Sequence, residues 1–124
     1  MMMDASGIAN SLEQIVGDLD AAGLEWARLD LKASQLEEDK KSFLAAIQTE
    51  LTKRHPEASE KTLERLALSD PTYRAFVNGM CAARAAALQA RIKYDNTEKL
   101  YDARRSQLAL ERVKVERNIS HIGR

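Results

Sequence analysis

Four arginines, Arg84, Arg91, Arg105 and Arg112, stand at multiples of seven residues, and Glu98 fills the gap in their line. They follow by four residues the apolar positions Met80, Ala87, Tyr101 and Leu108. Residues seven apart share one helix face, so a helix here carries a row of guanidiniums beside Tyr94 and Tyr101. Arg74, Arg104 and Arg117 add to the charge. The chemistry open to such a row is recognition. Guanidiniums follow a phosphate backbone while aromatic rings stack on bases, or they grip an acidic protein. Long arginine stems also cover an apolar seam while their heads reach water, which is a purely structural role. The candidate binding residues are Arg84, Arg91, Tyr94, Tyr101, Arg104, Arg105 and Arg112.

Other chemistries find no support. His55 lies in a turn and His121 near the far end of the chain, and neither has a second ligand or a carboxylate at metal-binding spacing. Glycine-rich phosphate loops, nucleophile elbows and HExxH are absent. Glu37, Glu38 and Asp39, followed by Lys40 and Lys41, fan out around a helix as a solvated face. Cys81 is the only cysteine, which excludes an internal disulfide and fits a small apolar role on a helix. The sequence predicts a non-enzymatic protein with no metal, no cofactor and no small-molecule substrate.

The row has to be positioned by long helices. Ile8, Leu12, Ile15, Leu19, Ala22, Trp26, Leu29, Ala33 and Leu36 recur at alternating steps of four and three, and the series runs on through Lys40, Phe43 and Ile47. That is the spacing of a narrow helix seam, with Lys40 as its defect. Gly17 and Gly23 each cost a helix about 1 kcal/mol relative to Ala, so a shortened, frayed or kinked start is expected. Asn10 or Ser11 is the expected cap, with Glu13 or Gln14 reaching back. Pro56 pushes His55 out of the α region and ends the helix near Arg54. Ser59 caps a short helix. Asp70 and Pro71 then occupy the N-cap and first-turn positions of a second long helix. Its stripe, Tyr73, Met80, Ala87, Tyr94, Tyr101, Leu108 and Val115, keeps a step of seven, widened by Phe76, Ala83 and Ala90.

The expected fold is therefore all-α, an antiparallel long-helix hairpin resembling a coiled coil. It forms a single domain over 1–124, with helices 10–54, 59–68 and 71–118 and tails 1–9 and 119–124. Trp26 or Phe43 is expected to fill the gaps against the alanine-rich stretch. Charged residues make up 31% of the chain and aromatics only 5%, which suits exposed amphipathic helices with little interior. Two helices bury their stripes incompletely, so a homo-oligomer is expected. No run approaches the roughly 18 apolar residues of a membrane span, and the start lacks the basic and apolar segments of a signal peptide. A cytoplasmic location without membrane contact is expected.

The formal net charge of zero conceals a polarity. Residues 1–70 carry 8 Lys/Arg and 14 Asp/Glu, whereas residues 71–124 carry 11 and 5. The simplest expectation is mutual neutralisation across the hairpin by pairs along its rim. Arginines left unpaired by the acidic arm would instead form the site.

The order Leu68-Ser69-Asp70-Pro71-Thr72-Tyr73-Arg74, the Ala82-Ala83-Arg84 run, Tyr94, and Leu100-Tyr101-Asp102-Ala103-Arg104-Arg105-Ser106-Gln107 together resemble a group of small all-helical proteins. That group is encoded in tailed-phage and prophage gene clusters for replication and recombination. The resemblance covers Glu60 to Arg117, about half of the chain, and implies an accessory role in DNA metabolism without catalytic residues. The leading expectation is a binding protein that contacts single-stranded DNA or a DNA-handling protein through the basic helix. One alternative is a structural coiled coil that oligomerises through its seam. Another is a small phage inhibitor of a host enzyme or defence complex. It would use Asp18, Asp20, Glu25, Asp30, Glu37, Glu38 and Asp39 as a decoy of nucleic-acid charge.

Overall fold

The computed structural model describes residues 4–122, with side chains through Ile119. The chain is an all-α helical hairpin. Its elements are α1 (Ala5–Arg54, 50 residues), α2 (Glu60–Ser69, 10 residues) and α3 (Pro71–Ile122, 52 residues). The two long helices pack against each other, and no described residue is in a strand. No helix among the described residues is long and apolar enough to cross a membrane.

Local chemistry explains each helix end. Asp4 caps α1, its Oδ1 accepting from the Gly7 N–H at 2.7 Å. The helix therefore starts five residues earlier than the expected 10, and Asn10 and Ser11 lie inside it. Gly17 and Gly23 are also inside, because the flanking apolar seam stabilises the turns that they weaken. Met1 to Met3 of the expected tail lie outside the described residues. The α1 stop at Arg54 agrees with the effect of Pro56 on His55. Ser59 caps α2, accepting from the Thr62 N–H, and the helix runs one residue past the expected 68. Asp70 caps α3, its Oδ1 accepting from the N–H groups of Thr72 at 2.8 Å and Tyr73 at 3.4 Å. α3 continues to Ile122 instead of stopping at 118, since no Gly or Pro interrupts Asn118 to Ile122. Residues 123–124 of the second expected tail lie outside the described part.

The chain divides into two compact units, one made of α1 up to Trp26 and α3 from Ala90 onward, the other of residues 27–89. In the first, Ile8, Ile15 and Ala22 are buried, and Trp26 packs on Tyr94 with ring centroids 5.5 Å apart. Tyr101 and Leu108 are half-buried on the same line. The next member, Val115, is 49% exposed, so the seam loosens there.

In the second unit Ala33, Leu51, Ala67, Tyr73 and Ala87 are buried. Phe43 stacks on Phe76 at 4.4 Å with a 12° interplanar angle, so its partner is a second ring and not the expected alanine-rich stretch. Lys40 does not enter this core. It is exposed, while Phe43, Leu44 and Ile47 are half-buried. The apolar line passes from the half-buried Leu36 to Phe43, and the lysine between them faces solvent.

Candidate functional site

The arginine row divides according to what α1 places beside it. Ala9, Val16, Gly23, Asp30 and Glu37 form a line at steps of seven on the flank of the α1 seam. Within the second unit, Arg84 lies between the last two. Its Nη1 donates to Asp30 Oδ1 at 2.7 Å, its Nη2 to Glu37 Oε1 at 2.6 Å, and its Nε to Glu37 Oε2 at 3.1 Å. Nη2 also reaches Ser34 Oγ at 3.3 Å. The paired Nε and Nη2 contacts form a bidentate fork, the geometry in which guanidinium and carboxylate bind best. The hydrogen bond from Arg84 holds the Glu37 carboxyl below its ordinary range, and Glu37 and Asp30 in turn raise the Arg84 pKa. Arg84 is therefore an internal clamp with little capacity left for a ligand.

In the first unit the corresponding α1 positions are Ala9, Val16 and Gly23, which carry no charge. Arg91, Arg105 and Arg112 are all exposed there. Arg91 has only a 4.0 Å approach to Asp95 on its own helix, and its guanidinium lies 5.8 Å from the Trp26 ring centroid. Arg105 lies 5.8 Å from the Tyr101 ring centroid and has no carboxylate partner among the described residues. Arg112 has no hydrogen-bond or ion-pair partner among them either. At 1.5 Å per residue, Arg91 to Arg112 spans roughly 30 Å of one helix edge. Glu98 is the anionic interruption in this edge.

The aromatic members differ in access. Tyr94 is half-buried between Trp26 and the backbone of α1, where Gly23 leaves room for the ring. A Cβ at position 23 would lie 3.3 Å from Tyr94 Cε2. The missing side chain opens a groove of about 490 Å³ lined by Leu19, Asp20, Gly23, Leu24 and Tyr94. One wall of that groove is an aromatic ring, with Arg91 three residues before it. Tyr101 is half-buried, with Arg105 near its ring.

Arg104 does not belong to this edge. It continues the line Ala83, Ala90 and Thr97, is half-buried, and donates through Nη1 to Gln107 Oε1 at 2.7 Å. Its buried Nε has no partner among the described residues. The structure thus groups Arg91, Tyr94, Tyr101, Arg105 and Arg112, engages Arg84 internally, and turns Arg104 to another side. Gly23 and Trp26 belong to the site as well. The sequence signal for them was the α1 flank line, whose change from Gly23 to Asp30 marks where the arginines stop being paired.

No group of three His, Cys, Asp or Glu suited to a metal ion occurs among the described residues. His55 is exposed in the turn after α1, and Cys81 is exposed and free. The His121 side chain lies outside the described part. No family model, curated protein or solved structure matches this chain.

Proposed function

We propose that this chain is a non-enzymatic accessory protein of phage or prophage DNA metabolism that works in the bacterial cytoplasm. It binds single-stranded DNA along the edge formed by Arg91, Arg105 and Arg112. The observation that carries this reading is that no α1 carboxylate stands on the flank line beside Arg105 or Arg112, while the same line clamps Arg84. Exposed cations that no carboxylate holds closely bind phosphates at low desolvation cost, and Arg91 has only the 4.0 Å approach to Asp95. The Tyr94 ring in its groove and the Tyr101 ring below Arg105 supply surfaces on which bases stack without regard to sequence. The decoy alternative is weakened, because two of its seven carboxylates, Asp30 and Glu37, are engaged by Arg84.

Fluorescence anisotropy with a labelled oligothymidylate tests the proposal. Three phosphate contacts on a single strand predict a slope of log affinity against log salt of about −2. No binding at low salt, or binding that does not respond to salt, rejects the reading.

A further inference from the structure

The side of the first unit opposite the arginine edge carries its own pattern of charge. The cap and first half of α1, residues 4–26, carry Asp4, Glu13, Asp18, Asp20 and Glu25 and no lysine or arginine. On this side Asp18, Ala21, Ala22 and Glu25 of α1, with Ala90, Lys93 and Thr97 of α3, line a groove of about 360 Å³. Further along α3 on the same side lie Leu100, 45% exposed, and Arg104 with its unpartnered buried Nε. Asp18 has no hydrogen-bond or ion-pair partner among the described residues. An acidic strip and a basic strip therefore lie side by side.

Surface area points to a protein partner. The chain exposes 9558 Å². A folded monomer of 13.9 kDa is expected to expose roughly 6,700 Å². The excess exceeds the roughly 800 Å² that each partner contributes to a standard interface. Among the described residues no large side chain is fully buried.

We infer that a second copy of this chain docks on this side, placing its acidic α1 strip on the basic α3 strip of the first, twice over. Two-fold symmetry leaves two ways to stack such faces. An axis across the helices sets α1 on α1, which opposes carboxylates to carboxylates. An axis along the helices sets each α1 antiparallel on the partner's α3, and charge selects this arrangement. In it Asp18 and Glu25 approach Lys93 and Arg104 of the partner subunit, and Leu100 is covered. Arg104 can then turn outward onto a carboxylate, which releases the orphaned Nε. The arginine edge stays open, so this inference stands independently of what that edge binds.

Sedimentation equilibrium on the full chain tests it with two charge-reversed variants, Asp18→Lys/Glu25→Lys and Lys93→Glu/Arg104→Glu. Circular dichroism establishes that each retains its helices. The native chain is expected to dimerise at micromolar concentration and to dissociate as salt rises. Each variant alone is expected to dimerise at least about tenfold more weakly, and an equimolar mixture of the two to recover a 1:1 dimer. A native chain that stays monomeric at 100 µM (roughly the ceiling for a specific weak dimer) overturns the inference. So do a salt-insensitive dimer, variants that self-associate like the native chain, or a mixture that remains monomeric. Should one variant lose its helices, Asp18→Lys paired with Lys93→Glu gives the same test with fewer changes.

Discussion

Gly17 and Gly23 lie six residues apart in α1, yet the same substitution should affect them differently. A methyl group at Gly17 meets nothing within 4 Å, whereas one at Gly23 meets Tyr94 Cε2 at 3.3 Å and Cδ2 at 3.6 Å. Inside an exposed helix, Gly→Ala contributes about 1 kcal/mol by removing backbone freedom from the unfolded chain. Unfolding entropy of about 2.1 cal/mol/K per residue converts that into a rise of roughly 4 °C for a chain of this size. Gly17→Ala should therefore melt about 4 °C higher. Gly23→Ala has the same intrinsic gain but must displace the Tyr94 ring by a few tenths of an ångström, and that ring is held against Trp26. Its net change should lie near zero. Thermal melts by circular dichroism at one protein concentration measure both. Trp26, the only tryptophan, reports the ring displacement as an emission change in Gly23→Ala alone. A lower melting temperature for Gly17→Ala would refute a continuous α1 through that position. Equal stabilisation by both substitutions would refute the seating of Tyr94 on Gly23.

Phe43→Ala and Phe76→Ala should each cost about 2–3 kcal/mol in urea unfolding. That is below the range for fully buried phenylalanines because both rings are half-buried. A double-mutant cycle should give a coupling near 1 kcal/mol, as for stacked rings, and additive losses would count against the stack. Glu37 has a lowered pKa in the folded chain, so its stabilising contribution is present above the ordinary value of 4.5 and fades as pH falls below it. The melting-temperature difference between the native chain and Glu37→Gln should accordingly shrink below that pH, and a constant difference would contradict the Arg84 clamp. Glu98→Gln removes the carboxylate that interrupts the line of arginines and should tighten binding to single strands roughly two- to fivefold. Unchanged affinity would move the ligand off that edge.

Much of the fold was legible because helix caps and seams depend on near neighbours. Ser59, Asp70 and Pro71 act through groups two or three residues away, and the step of seven in α3 needs no tertiary information. The early start of α1 was hidden for the opposite reason. Two glycines outweigh a seam by local propensity, and only packing of Ile8 and Ile15 reverses that balance. Lys40 misled because a strict 4-3 step was carried through it, whereas the packed line rests on Leu36 and Phe43 and leaves the lysine exposed. The arginine row was visible, but its division was not. Whether Arg84 or Arg105 is paired depends on which α1 residues stand opposite, and that register becomes fixed only when the arms pack. Arg104 was grouped with its neighbour Arg105, although one residue is about 100° of rotation on a helix.

The central claim is that Arg105 is open because α1 supplies no carboxylates beside it. Asp30 and Glu37 stand beside Arg84, and a step of 21 residues, three heptads, along each arm in opposite directions brings Ala9 and Val16 to the same antiparallel register beside Arg105. Ala9→Asp/Val16→Glu therefore rebuilds the Arg84 clamp around Arg105 without altering any arginine. The direct measurement is a salt titration of oligothymidylate binding by the native chain, by this variant, and by a control carrying Gln14→Glu/Ala21→Glu on the other side. The clamp variant should bind more weakly, with its salt slope reduced by about 0.7, one phosphate contact, and the control should keep the native slope. Native slope and affinity in the clamp variant would contradict the account.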